Sequence, residues 1–132
     1  MAGTGVKREL FAGAVNAKKS PTERFTEYHS KALKSSPLKL SETSYKSLTS
    51  SSRDYSVAVL LTALETRFNC QLCREFQPEY ELLGKSWAKG DPAAESRTIF
   101  GYLDFVDGRD IFLSVRRILP NFWLYNWLFT HR

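Results

Sequence analysis

The stretch VAVLLTALETRFNCQLCREF, residues 57–76, decides the fold. Its first half is an apolar run without polar alternation, which is typical of a strand covered on both faces. A buried helix is the alternative, but the run is short and partly β-branched. From Cys70 onward the apolar residues recur at helical spacing, along one face from Phe76 to Trp87. The stretch therefore predicts a central strand followed by a long helix, with two cysteines at the junction.

The rest of the chain alternates helical and strand patterns. Ser20-Pro21-Thr22-Glu23 has the composition of a capping box with proline at the first helical position, which predicts a helix that ends before Pro37. The further predicted segments are a short strand at 38–40, a loop or short capped helix at 41–52, a strand at 98–105, a short helix at 109–117 and an apolar tail of strand-like composition at 121–129. Strands that alternate with helices predict an α/β fold with a partly parallel sheet.

Length and charge exclude several function classes. A chain of 132 residues with two cysteines fits one packed domain rather than a disulfide-rich scaffold. Residues 1–53 hold ten Lys and Arg against four Asp and Glu, within a net charge of +5. The basic residues are scattered and lack the interleaved aromatic residues that stack on bases, so we expect a solvated face and no nucleic-acid partner. We also expect no membrane span, because no run approaches the ~20 apolar residues required.

The candidate functional site is Cys70-Gln71-Leu72-Cys73. Two intervening residues place the sulfurs about one helical turn apart, close enough to bond. Cys70 is the predicted nucleophile, because the dipole and the unpaired N–H groups of a helix N-terminus stabilise a thiolate. Cys73 is the predicted resolving thiol. It would attack a mixed disulfide between Cys70 and a client polypeptide and so release the client. The neighbouring charges are mixed and leave the redox strength open: Arg67, Arg74, Glu65 and Glu75.

Two other uses of the cysteine pair remain open. The pair would supply half of a structural zinc site, which needs four ligands. The chain's two histidines, His29 and His131, lie near its opposite ends. Alternatively, the cysteines are simply buried as small apolar side chains. Redox use is favoured by the strand, loop and helix context.

Residues around this motif resemble the lumenal thioredoxin-like domain of the oligosaccharyltransferase accessory (gamma/redox) subunits, a family that includes magnesium-transporter-like members. The resemblance covers roughly residues 18–114. The segments that carry it are residues 57–64, 68–76 and 78–80, Ser86-Trp87, residues 100–105 and 108–110, with earlier matches at Arg24-Phe25, Tyr28 and residues 38–40.

The resemblance implies a thioredoxin-like α/β fold, in which helices flank a mixed central sheet. It implies a location in the endoplasmic reticulum lumen or in a membrane complex there, with other oligosaccharyltransferase subunits as partners. Cys70 would form transient mixed disulfides with nascent polypeptides that carry free cysteines, which would promote N-glycosylation. A groove at Gln71, Leu72 and Pro120 would bind peptide, no cofactor or metal is expected, and sugar transfer would belong to another subunit. Whether the chain itself counts as a thiol-disulfide oxidoreductase stays open.

The resemblance also suggests three regions. Residues 1–17 carry Lys7 and Arg8 before a weakly apolar stretch, and we interpret them as a partial secretory leader or a disordered N-terminus. Residues 18–114 are the predicted thioredoxin-like domain. Residues 115–132 diverge from the family pattern, since Pro120 lacks the Thr-Ala residues expected before it. This tail leaves open whether the C-terminal strand of the sheet is complete.

Overall fold

The computed structural model describes residues 18–118, which form four helices, one 3₁₀ turn and three strands. In chain order they are α1 (Pro21–Lys34), β1 (Leu38–Leu40), α2 (Glu42–Thr49), β2 (Ser56–Thr62), the 3₁₀ turn (Thr66–Phe68), α3 (Gln71–Gly90), β3 (Thr98–Asp104) and α4 (Arg109–Ile118). These elements confirm the predicted α/β order. The apolar segment 121–129 lies outside the described residues.

The sheet has the strand order β1–β3–β2, and both pairs are parallel. Gly101 of β3 lies opposite Leu38 on one side and Val59 on the other. The sequence predicts a mixed sheet with β2 at its centre. Within the described residues, however, β3 is the middle strand and β2 is an edge strand. Most side chains of β2 are accordingly half-buried rather than covered on both faces.

Helices cover both faces of this sheet. Side chains of α1, α2 and α4 form the main core with Ile99 and Leu103 of β3. Phe100 lies on the other face of β3 and contacts Trp87 and Tyr80 of α3, with ring centroids 5.3 and 6.2 Å apart. The largest fully buried apolar side chains are Phe112, Leu48, Ile99 and Leu103. Each contributes roughly 1.5–3 kcal/mol relative to full exposure. This layered α/β architecture is compatible with a thioredoxin-like fold.

The start of α1 confirms the predicted capping box. The amide of Glu23 donates to the Ser20 hydroxyl at 3.2 Å, and the amide of Ser20 donates to the Glu23 carboxylate at 2.8 Å. The buried side of α1 includes a charged residue, Arg24. Its guanidinium donates to the backbone oxygen of Ser52 at 3.2 Å and also contacts the Ser50 hydroxyl. Arg24 thereby ties α1 to the loop that precedes β2.

The buried face of α3 differs from the face that the sequence predicts. Phe76 and Trp87 are 46% and 40% exposed. Tyr80 of the predicted face is buried, and the other buried residues of this helix are Cys73, Gln77 and Gly84. α3 approaches the rest of the protein closely at Gly84, where an added Cβ would lie 2.8 Å from the ring of Pro37. The Ser36–Pro37 peptide bond is cis.

No helix among the described residues combines the length and apolar character needed to cross a membrane.

Candidate functional site: the Cys70–Cys73 disulfide

The loop from β2 to α3 places the cysteine pair at the start of a helix. The chain leaves β2, makes the single 3₁₀ turn at Thr66–Phe68 and ends it at Asn69, whose backbone is left-handed with a φ of 50°. Asparagine tolerates this conformation better than most residues. The reversal at Asn69 makes Cys70 the N-cap of α3. The predicted junction of strand, short loop and helix is therefore confirmed.

Cys70 and Cys73 are joined in a disulfide. The backbone amide of Cys73 donates to the sulfur of Cys70 at 3.1 Å, as it would to the side-chain oxygen of an ordinary N-cap residue. A hydrogen bond to a charged acceptor is stronger than one to a neutral acceptor, so a donor in this position would stabilise a thiolate at Cys70. The geometry thus favours charge on Cys70, the residue that the sequence predicts as nucleophile.

Both cysteines are buried, Cys70 with 1% and Cys73 with 5% of their surface exposed. They form a small apolar cluster with Ala63, against which the half-buried side chains of Leu64, Phe68 and Phe105 pack. The rings of Phe68 and Phe105 meet edge to face, with centroids 5.0 Å apart. This cluster covers the sulfur of Cys70 from solvent.

An apolar cavity of about 160 Å³ adjoins the disulfide on the side of Cys73. Its lining residues come from the end of β2 and the first turns of α3: Leu60, Leu61, Thr62, Leu72, Cys73 and Phe76. The Thr62 hydroxyl is buried and has no hydrogen-bond partner among the described residues. The cavity is therefore apolar apart from this hydroxyl and the sulfur.

Of the three residues predicted to form a peptide groove, one lines the cavity beside the disulfide. Leu72 lines the cavity and is 42% exposed. Gln71 does not line it, because its side-chain amide donates to Glu75 at 2.6 Å on the helix surface. Pro120 lies outside the described residues. The sequence prediction missed Thr62 and Phe76, which also line the cavity. Each lies at least four residues from Gln71 and Leu72 in the sequence, and only the fold brings them together.

The model of one protein family, the OST3/OST6 family, also described as a transporter family, matches residues 24–127 of this chain. The chain belongs to the OST3/OST6 family. The matched region includes the whole of the cysteine motif and extends beyond Ser114 into the C-terminal tail.

Relatives with similar sequences carry names from the same family. The chain is 40% identical over 60 residues to the dolichyl-diphosphooligosaccharide–protein glycosyltransferase subunit MAGT1 of Danio rerio, and 37% identical over 60 residues to that of Homo sapiens. Each match covers 46% of this chain and 18% of the relative. Subunit 3 of the same transferase from Schizosaccharomyces pombe is 31% identical over 75 residues, 55% of this chain and 24% of the relative. These matches therefore span about a quarter or less of each relative.

Side-chain charge near the disulfide of this OST3/OST6 family member is largely self-compensated. Arg67 pairs with Glu65 at 2.6 Å, and its guanidinium lies 4.7 Å from the centroid of the Phe68 ring. The pair is exposed, so it contributes at most about 1 kcal/mol. One of the two predicted thiolate-favouring cations is therefore engaged by one of the two predicted opposing carboxylates. The helix N-terminus and Arg74, which has no ion pair with another described residue, remain as the features that favour a thiolate.

Asp104 is a buried positioning residue that the sequence prediction missed. It ends β3 with 6% of its surface exposed. Its carboxylate accepts from the amide of Leu64 at 3.3 Å and from the amide of Val106 at 3.2 Å. Leu64 begins the loop that leads to Cys70, so Asp104 ties that loop to the end of the neighbouring strand. The available signal was a single acidic residue at the end of an apolar strand.

In residues 18–118, no group of three or more His, Cys, Asp or Glu side chains is arranged to hold a metal ion. His29 stacks on Phe25 of α1 with ring centroids 5.5 Å apart, and His131 lies outside the described residues. Both cysteine sulfurs are bonded to each other. The described residues therefore offer no support for the zinc alternative.

Proposed function

We propose that residues 18–114 form a thiol-disulfide exchange module, with Cys70 as the exchanging sulfur and Cys73 as the resolving one. The observation that carries this proposal is the disulfide at the first turn of α3, where the Cys73 amide donates to the Cys70 sulfur. A helix N-terminus stabilises a thiolate at Cys70, which is the attacking form when the pair is reduced.

The proposed cycle conserves disulfide bonds. The thiolate of a client cysteine attacks the sulfur of Cys70, the bond between Cys70 and Cys73 breaks, and Cys73 leaves as a thiolate. The client is then held to Cys70 by a mixed disulfide. Cys73 later attacks the Cys70 sulfur, restores the internal disulfide and releases the client as a thiolate. Client capture and release together need no external oxidant or reductant.

The relatives' names support a role for the proposed chemistry in protein N-glycosylation. Because those relatives are named as subunits of the dolichyl-diphosphooligosaccharide–protein glycosyltransferase, we assign this chain to the same complex in the endoplasmic reticulum, with its other subunits as partners. Nascent glycoproteins with free cysteines are the proposed clients. A client held at Cys70 stays unfolded near the transferase for longer, so that more of its acceptor sites are modified before folding buries them.

The test is a trapping experiment with a model peptide whose cysteine is a mixed disulfide with glutathione. In the Cys73→Ser variant the Cys70 thiolate attacks the peptide sulfur and displaces glutathione, and no resolving thiol is present to release the peptide. We expect a stable adduct that mass spectrometry maps to Cys70. The matched Cys70→Ser variant keeps one thiol, at Cys73, and should give much less adduct. Equal adduct in the two variants, or none in either, would contradict the assigned roles.

A second candidate function is peptide binding without exchange. The observation that favours it is the apolar cavity beside the disulfide, next to which Leu72 and Phe76 remain 42% and 46% exposed. If the Cys70→Ser/Cys73→Ser protein supports glycosylation of cysteine-containing acceptors as well as the unaltered protein does, this second function is the correct one. A Phe76→Ser variant should then lose activity while its disulfide is intact.

A further inference from the structure

A second groove lies between the C-terminal end of α1 and the C-terminal half of α3. It has a volume of about 500 Å³ and shares none of its lining residues with the cavity at the disulfide. Ala32 and Ala88 leave it open because their side chains are small. Leu33 and Leu82 also line it, with 50% and 62% of their surface exposed. Two large apolar side chains are thus presented to solvent at the same concave site.

The charge in this groove is entirely positive. Lys34, Lys85 and Lys89 line it, and its lining includes no Asp or Glu. Among the described residues, none of these three lysines has an ion-pair partner. Elsewhere on α1 and α2 the pattern is different, since Lys31 pairs with Glu27 at 2.8 Å and Lys46 pairs with Glu42 at 2.5 Å. The groove therefore concentrates lysines whose charge is not compensated locally.

The carboxylate of Asp91, close to the groove, is hydrogen-bonded within the loop that follows α3. Asp91 lines a smaller adjoining cavity together with His29 and Trp87. It accepts hydrogen bonds from the Ser96 hydroxyl, the Ser96 amide at 3.0 Å and the Glu95 amide at 2.9 Å. These bonds, led by that from the Ser96 hydroxyl, lower the pKa of Asp91. Asp91 is thus committed to the loop that follows α3.

We propose that this groove binds an acidic, amphipathic segment of a partner polypeptide. Leucine-like side chains of the partner would contact Leu33 and Leu82, and its carboxylates would lie against Lys34, Lys85 and Lys89. A helix that carries apolar residues at spacings of three and four has this arrangement. A peptide fits the site better than a lipid surface does, because the groove is concave and a bilayer surface is nearly flat. The proposal goes beyond thiol exchange and does not depend on it.

The test measures binding of a fluorescein-labelled synthetic helix of about 16 residues, with leucines on one face and glutamates on the other. The full chain with its disulfide intact is titrated against this peptide and against a copy in which glutamine replaces every glutamate. We expect saturable binding of the acidic peptide only, weakened by added salt. Vesicles containing phosphatidylserine are tested in parallel.

Two charge-matched variants distinguish binding in the groove from a general effect of the protein's net charge. Lys34→Glu/Lys85→Glu/Lys89→Glu should weaken binding by at least about tenfold, since three attractive contacts become repulsive. The control Lys18→Glu/Arg53→Glu/Arg109→Glu makes the same change of charge on exposed residues outside the groove and should change the affinity less than about threefold. Leu82→Ser, at an exposed position, should also weaken binding without lowering the thermal unfolding temperature.

Three results would overturn the proposal. They are equal weakening in the two triple variants, absence of saturable binding to the acidic peptide, and binding to the vesicles alone. The last result would assign the groove to an anionic membrane surface.

Discussion

The two ends of helix α3 present different chemistry. Its first turn adjoins a small apolar cavity and carries Cys73, whose bond to Cys70 is buried. Its last turns adjoin a larger, open groove with Lys85 and Lys89 on α3 and no acidic lining residue. The first end suits a reaction at one sulfur, beside a cavity lined almost wholly by apolar side chains. The second suits a reversible contact that depends on salt. One rigid helix can therefore support two independent interactions, and each can be removed without touching the other.

The largest expected effect is that variants at either end of α3 remove the activity of that end and leave the activity of the other end unchanged. In the Cys73→Ser background, a further Cys70→Ser change should reduce adduct formation with the glutathione-linked peptide to background, because the exchanging sulfur is gone, while binding of the acidic helix is unchanged. In the same background, Lys34→Glu/Lys85→Glu/Lys89→Glu should do the reverse. Trapping yield and fluorescence anisotropy measured on the same preparations check both halves. If either variant lost both activities, the two sites would be coupled.

The next largest effect is expected at Gly84, where the middle part of α3 packs against Pro37. Gly84→Ala places a Cβ 2.8 Å from both the ring and the backbone nitrogen of Pro37, so that α3 or the loop must shift. We expect a net loss of about 1–3 kcal/mol in the free energy of unfolding, despite the better helix propensity of alanine.

Gly90→Ala is the matched control, because a Cβ there meets nothing within 4 Å. This variant should be neutral or slightly stabilised, by up to about 1 kcal/mol. Urea unfolding measures both variants. If Gly84→Ala were as stable as Gly90→Ala, the close contact between α3 and Pro37 would not constrain the helix.

The sequence predicted the first end of α3 far better than the second. The apolar run, the C-x-x-C spacing and the change to helical periodicity are local patterns, and they located the disulfide correctly. The burial of Gly84 was missed because it depends on a close contact with Pro37, which is distant in sequence. The basic groove was missed for the same reason: Lys34 and Lys85 come from different helices and meet only in the fold. Asp104 was missed because its partners are backbone amides, which carry no residue signature.

A smaller effect is expected from Asp104→Asn. The amide presents a donor where the carboxylate accepted, so the hydrogen bond from Leu64 or that from Val106 is lost. We expect a cost of about 1–2 kcal/mol in the free energy of unfolding and faster reaction of the cysteine pair with a small reductant, because the loop over Cys70 is looser. Glu79→Gln, on the exposed side of α3, is the control and should leave both quantities unchanged. An unchanged reaction rate in Asp104→Asn would show that this loop does not control access to the sulfur.

The smallest effect is expected at the middle of α3. The Tyr80 hydroxyl lies 2.7 Å from the Gly101 carbonyl oxygen and 3.0 Å from that of Ala58, and it donates to them. Tyr80→Phe keeps the ring and should cost about 0.5–1.5 kcal/mol. The control is Tyr102→Phe in β3, whose hydroxyl has no hydrogen-bond partner among the described residues; it should cost less.

The difference in the free energy of unfolding between the unaltered protein and Tyr80→Phe should depend on pH in a defined direction. Burial raises the pKa of Tyr80 from 10.0 to about 12. The folded state therefore favours the protonated phenol, and this stabilisation is complete below about pH 10 and lost as the pH rises toward 12. The stability difference between the unaltered protein and Tyr80→Phe should shrink across that window. A constant difference would indicate that the phenol is not buried.

The most direct test of the central claim is the reduction potential of the Cys70–Cys73 disulfide, measured in glutathione redox buffers with the fold monitored by circular dichroism. An exchange module should equilibrate reversibly as a two-electron couple above about −300 mV, and the secondary structure should persist in the reduced form. A disulfide that glutathione does not reduce, or whose reduction unfolds residues 18–118, would be a structural bridge and would contradict the account.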